Sequence, residues 1–202
     1  MSPEPKKPGR GRPKTFDREY TLGVAMRLYW REGIDGVSLN EICERANVSK
    51  PSLYREFGND DGLMRAVLVR YRNEMLEPLF ELLARDAPFH ETLHALIALV
   101  TEEDAEAPKG CLFVKMRASR LRVGAETRKE IDRIQNQLLR LYRDWVARSR
   151  QKGDFRADLD PKFAAAYINS QLGNAKSQAA RGEKAKNIRS MLELAFSVFD
   201  QP

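Results

Sequence analysis

Residues 38–57 read SLNEICERANVSKPSLYREF. Ser38 and Glu41 form an S-x-x-E capping box ahead of Leu39, Ile42 and Cys43, which starts one short helix. The turn is 46–49, A-N-V-S. Such a turn needs one residue at positive φ, and asparagine adopts that conformation most cheaply after glycine, so Asn47 fits. Ser49 caps the next helix, and Pro51 is harmless in a first turn because its missing N–H has no intrahelical partner. Leu39, Ile42, Ala46, Val48, Leu53 and Phe57 then make one small core. Lys50, Pro51, Ser52, Tyr54 and Arg55 are left outward or flanking. Two short helices joined by a tight turn are the helix-turn-helix plan. A helix this short and this polar serves to present its N-terminal face, and such a face fits the DNA major groove. Lys50 and Ser52 reach toward base edges. Tyr54, Arg55 and Ser38 suit phosphates, as do the amides at the helix start behind Ser49.

Outward from this stretch the pattern stays helical. Leu22, Ala25, Met26 and Tyr29 recur at helical spacing over 17–32, and Gly33 ends that helix. Asp60 is read as the cap of a fourth helix through Leu63, Val67, Tyr71 and Met75, which Pro78 kinks or ends. Further helices are expected at 89–101, 111–121, 126–151, 161–180 and 184–199, with Asp160 and Pro161 opening the penultimate one. Ile131, Ile134, Leu138, Tyr142 and Trp145 fall on one stripe of the long helix. No alternating run is long enough for a sheet. The expected fold is all-α, about nine helices, with no internal repeat. The domain reading is a disordered basic arm over 1–16, a three-helix DNA-binding domain over 17–62, and a ligand-binding and dimerisation bundle over 63–202.

The 202 residues carry a net charge of +6, and 42% are hydrophobic. Residues 1–16 alone are net +4 and hold four of the ten prolines, whereas 17–76 are net −1. A basic tail that cannot bury apolar area points to a polyanionic partner. Within it GRGRPK, 9–14, places Arg10, Arg12 and Lys14 in an extended segment suited to a narrow, A·T-rich minor groove. No apolar run reaches a bilayer span, and the N-terminus has no secretory h-region. Cys43 and Cys111 read as reduced thiols. His90 and His94 stand four apart without a third ligand nearby, so no metal site is assigned. No P-loop or G-x-S-x-G is present. Neither an enzyme nor a cofactor is expected.

The order of these features resembles the TetR family of transcriptional regulators. The resemblance rests on S-x-x-x-I-x-x-x-A-x-V-S over 38–49, L-Y-x-x-F over 53–57, and a downstream leucine; it is strong over roughly 60 residues from Phe16 to Met75. KGCLFV and GDFRADLDP match more loosely. Two departures stand out. Asn47 replaces the family's usual glycine. Asp60 replaces a lysine, which removes one phosphate contact and gives the basic tail more of the affinity.

The resemblance implies a dimeric repressor on a palindromic operator, released by a small molecule and working in the bacterial cytoplasm at the nucleoid. The last two helices would form the dimer interface. Ala164, Ile168, Leu172, Ala175 and Ala179 make one candidate stripe; Ile188, Met191, Leu192, Ala195, Val198 and Phe199 make another. An intramolecular core is the alternative reading of the same stripes. Phe113, Met116, Tyr142, Trp145 and Tyr167 are candidates for an apolar ligand wall, and Gln171 and Asn174 for its hydrogen bonds. The competing reading is an architectural DNA-binding protein without an effector.

Overall fold

The structure is a computed structural model and describes residues 16–102, 104 and 106–200. Within them the helices are α1 (Arg18–Glu32), α2 (Leu39–Ala46), α3 (Lys50–Phe57), α4 (Asp60–Tyr71), α5 (Glu77–Ala84), α6 (Phe89–Thr101), α7 (Leu112–Ala118), α8 (Ala125–Gln151), α9 (Pro161–Ala180) and α10 (Ala185–Phe196). No strand occurs among the described residues. A π turn at Arg72–Leu76 joins α4 to α5 without a break, so the two are one interrupted rod and the described rods number nine. The expected all-α architecture is the one observed.

Local chemistry explains most boundaries. Asp17 accepts a hydrogen bond from the Tyr20 amide and opens α1, and the Gly33 amide closes it on the Tyr29 carbonyl. Asp160 accepts from the Lys162 and Phe163 amides at the start of α9, with Pro161 in the first turn. One expectation is corrected and one open alternative is resolved. The cap of α4 is Asn59, whose Oδ1 accepts from the Gly62 amide at 2.9 Å, and Asp60 is the first helical residue. Pro78 does not end the fourth helix. The widened π turn absorbs the residue that can neither donate an amide nor fit an unperturbed turn, and the rod continues to Ala84.

Helices α1–α3 form the N-terminal head. Ile42 and Leu53 are fully buried in it, Ala46 nearly so, and Leu39, Val48 and Phe57 pack against them half-buried. The bundle core runs along α8, whose Ile131, Ile134, Leu138, Tyr142 and Trp145 all face inward. Phe89 of α6 stacks on Trp145 with centroids 4.7 Å apart, and Phe155 and Phe199 close the cluster around Phe89. Tyr167 reaches Phe199 and donates its hydroxyl to the Ala195 carbonyl at 2.8 Å, which fastens α9 to α10.

The head is tied to the bundle by polar contacts distant in sequence. Trp30 donates its indole N–H to the Gly110 carbonyl and packs edge-on against Tyr71. Lys115 of α7 donates to the Trp30 carbonyl. The Asp61 carboxylate caps α8 from across the joint, accepting from the Glu126 amide at 2.8 Å and the Thr127 amide at 3.1 Å. Gly124 permits this approach, since a Cβ there would strike the Asp61 carboxylate.

Burial alone would raise the Asp61 carboxyl, but hydrogen bonds from Thr127 and Glu126 outweigh it and hold the value below the ordinary one. A lowered folded-state pKa stabilises above the unfolded value and loses that contribution as pH falls through the folded one. Asp61→Ala is therefore expected to cost about 1 to 2 kcal/mol near neutrality, the worth of a helix cap. The difference from wild type should shrink below about pH 4. Urea denaturation of both proteins from pH 3 to 7 checks it, and a pH-independent difference would contradict this assignment.

Candidate nucleic-acid interface

The turn between α2 and α3 is built as the sequence predicts. Asn47 takes φ 54°, ψ 46°, the left-handed conformation, and is the one non-glycine residue at positive φ among the described residues. Its amide donates to the Glu44 carbonyl and the Val48 amide to the Cys43 carbonyl, a paired closure of α2. The capping box forms only in part. Ser38 accepts from the Glu41 amide, while the Glu41 carboxylate turns to Arg45, one turn on, at 2.9 Å.

Ser49 caps α3 by accepting from the Ser52 amide at 3.3 Å, and its hydroxyl donates to the Ser52 hydroxyl. Leu53 is the one residue of α3 that is fully buried, and it anchors the helix to the head. Lys50, Pro51 and Arg55 are exposed, and Ser52 and Tyr54 are half-buried. The structure thus brings Ser49, Lys50, Pro51, Ser52, Tyr54 and Arg55 together on one short helix and its cap. Ser38 stands exposed at the start of α2. Arg10, Arg12 and Lys14 lie outside the described residues.

One feature of this surface escaped the sequence reading. The Tyr54 hydroxyl donates to Asp60 Oδ1 at 2.8 Å, and the Lys50 ammonium lies 5.5 Å from the centroid of the Tyr54 ring. The hydrogen bond to Asp60 raises the phenol above its ordinary value. The signal in the sequence was the acid standing where the family has lysine.

The predicted ligand residues divide between the packed core and a small cleft. Phe113, Met116, Tyr142 and Trp145 are buried core, and Tyr167 is half-buried in the aromatic cluster. Gln171 and Asn174 line a cleft of about 20 Å³ between α9 and α10, which none of those five lines and which is too small for an organic ligand. A larger open groove of about 290 Å³ lies between α8 and α9, with Leu139, Arg140, Arg143, Lys162 and Ala166 on its walls, and the sequence reading did not find it. The small-residue stripe of α9 also needs correction. Ala164, Ile168, Leu172 and Ala175 are buried within the chain, so they are not free to meet a partner. The apolar side chains left open on α9, α10 and the turn that follows are Phe163, Met191, Leu194 and Val198, exposed by 65%, 42%, 75% and 40%. Among the described residues no cluster of three metal-ligating side chains occurs, and no helix is long and apolar enough to cross a membrane.

The sequence pattern of bacterial regulatory proteins of the tetR family matches residues 22–67, most of the head and the first two thirds of α4. Over 65 residues the chain is 49% identical to the transcriptional repressor ComR of Escherichia coli (strain K12), covering 32% of this chain and 31% of ComR. Over 83 residues it is 37% identical to the repressor BdcR of the same organism, covering 41% of this chain and 42% of BdcR. These matches thus span less than half of either relative. Across nearly the whole fold the chain is similar to a cysteine mutant of the TetR family transcriptional regulator CifR complexed with 26-bp double-strand operator DNA. That likeness has a TM-score of 0.79 and 26% identity, and covers 94% of this chain and 100% of that one. The reduced form of Escherichia coli NemR has the same fold, with a TM-score of 0.79 over 92% of this chain and 98% of that one, at 21% identity. A capped α3 behind an asparagine turn, the matched head and a bundle that follows the same course lead to one conclusion: residues 22–67 carry the tetR-family sequence pattern, and the chain around them has the fold of the TetR family regulator CifR.

Proposed function

We propose that the protein is a dimeric transcriptional repressor that binds a palindromic operator through α3 and works in the bacterial cytoplasm, on the nucleoid. The observation that carries this is the face of α3, where Ser49, Lys50, Ser52, Tyr54 and Arg55 stand around a single buried anchor, Leu53. Lys50 and Ser52 read base edges in the major groove. Ser38, Ser49, Pro51, Tyr54 and Arg55 fix the register on the backbone. Arg10, Arg12 and Lys14 follow the neighbouring minor groove. The reading head is residues 17–62, and residues 63–202 form the bundle that dimerises. One helix reads too few base pairs for specificity, so a second copy is required. Its seat is the open apolar face of Phe163, Met191, Leu194 and Val198, for which a partner's α9 and α10 are the natural cover.

Release by a small molecule rests on the family's common mode. Phe113, Met116, Tyr142, Trp145, Tyr167, Gln171 and Asn174 remain the residues proposed for that effector. A ligand-independent, architectural protein is the second reading, and the packing of the five aromatic and methionine side chains into the core favours it.

The test is a selection from random double-stranded DNA at about 0.15 M salt. A palindrome with half-sites about one to one and a half helical turns apart is expected. Lys50→Ala should relax base identity at one position per half-site, costing about 1 to 3 kcal/mol there. Unphased A·T-rich DNA would overturn the repressor reading in favour of the architectural one.

A further inference from the structure

Asp60 stands where the family carries lysine, and it is engaged. Its Oδ1 accepts the Tyr54 hydroxyl at 2.8 Å, across the gap between α3 and α4. The neighbouring acid, Asp61, is committed to the start of α8. Asp60 is therefore the carboxylate left to face the reading helix. Lys50 completes the group by lying over the Tyr54 ring. Two of these three side chains are the ones proposed above to meet DNA.

A phenol has one proton to donate. While it goes to Asp60, Tyr54 cannot donate to a phosphate oxygen. A carboxylate and a phosphate oxygen are the same kind of partner for that hydroxyl: anionic, acceptor-only, and best satisfied by a short charge-assisted bond. The raised phenol pKa agrees with this, since the bond to Asp60 keeps Tyr54 protonated and able to donate.

We infer that Asp60 is a built-in competitor for a DNA phosphate: it holds the Tyr54 hydroxyl in the free protein, and DNA binding exchanges that bond for one to a phosphate oxygen. This rests on the DNA-binding reading. Two penalties follow. The bond to Asp60 must be given up, and the charge of Asp60 repels the incoming backbone. Both are blind to base sequence, so Asp60 lowers affinity for all duplexes alike and leaves base preference to Lys50 and Ser52.

The two penalties separate in a double-mutant cycle, because repulsion acts with or without the hydroxyl and competition acts only with it. Dissociation constants are measured by fluorescence anisotropy for wild type, Asp60→Ala, Tyr54→Phe and the double variant. The probes are the duplex recovered by selection and a scrambled duplex, at one fixed salt concentration. Asp60→Ala is expected to tighten binding about tenfold with Tyr54 present and about threefold in the Tyr54→Phe background, by the same factors on both duplexes. Equal factors in the two backgrounds would overturn the exchange. So would weaker binding by Asp60→Ala, which would make Asp60 a positioner of Tyr54. Asp60→Asn removes the charge but keeps an oxygen that accepts the Tyr54 hydroxyl, so it should tighten binding by less than Asp60→Ala does; tightening as large as that of Asp60→Ala would overturn the exchange. Wild-type protein that binds neither duplex would remove the DNA-binding reading, and the exchange with it.

Discussion

Gly110→Ala is expected to lower stability by about 2 to 4 kcal/mol, the sum of backbone strain and overpacking. Gly110 has φ +83°, which side chains with a Cβ rarely adopt. The added Cβ would also lie 2.6 Å from the Ala180 Cβ and 3.0 Å from the Lys176 carbonyl oxygen, so α9 must move away. The neighbourhood cannot give freely. The Gly110 carbonyl accepts the Trp30 indole N–H, and the Cys111 sulfur next to it accepts the Tyr71 hydroxyl at 3.2 Å. A shift of this loop therefore reaches α1 and α4, the two elements that carry the head. Urea denaturation followed by circular dichroism measures the loss. A cost under about 1 kcal/mol would mean that the loop relaxes without disturbing α9.

Trp145→Ala should cost about 3 to 5 kcal/mol, and Trp145→Phe under about 2. Trp145 is 1% exposed and stacks on Phe89 at the centre of the aromatic cluster. Truncation to alanine leaves a cavity that α6, α8 and the turn after α10 cannot all collapse to fill. Phenylalanine keeps the stack. It also removes the indole Nε1, which is buried without a hydrogen-bond partner among the described residues. The pair of variants also bears on function. A side chain that walls an effector pocket is truncated cheaply and enlarges the pocket, whereas a core side chain is truncated at the full cost. Equal, small losses for both variants would restore Trp145 to the ligand wall.

The reading of the head from sequence succeeded because its determinants are local. Ser38 and Ser49 each cap a helix whose amide lies three residues away, and Asn47 takes its left-handed turn within its own tetrapeptide. Periodicity located the buried stripe of α8 for the same reason, since every third or fourth residue shares a face whatever surrounds it. The misses were also local in part. Asn59 outcompeted Asp60 for the cap of α4, and only then was Asp60 available to Tyr54.

Other features depended on contacts between distant parts of the chain. An apolar stripe says that it will be covered, not by what. The small residues of α9 therefore fit a partner's helix as well as the chain's own α8, and packing decided for the chain. The aromatic residues proposed for a ligand wall have the same composition as a core, and Phe113, Tyr142 and Trp145 are buried among the helices. Asp61 meets the amide of Glu126 across 65 residues, a pairing no spacing rule encodes. By itself the sequence determined the all-α class, the two short helices with their asparagine turn, and the resemblance of residues 22–67 to the tetR pattern. Tertiary structure decided which faces are spent inside the chain, how the head is tied to the bundle, and which donor on the reading helix is already taken. The physical reason is that caps and periodicities are satisfied within a few residues, while burial and long-range hydrogen bonds are settled only when the helices compete for the same partners.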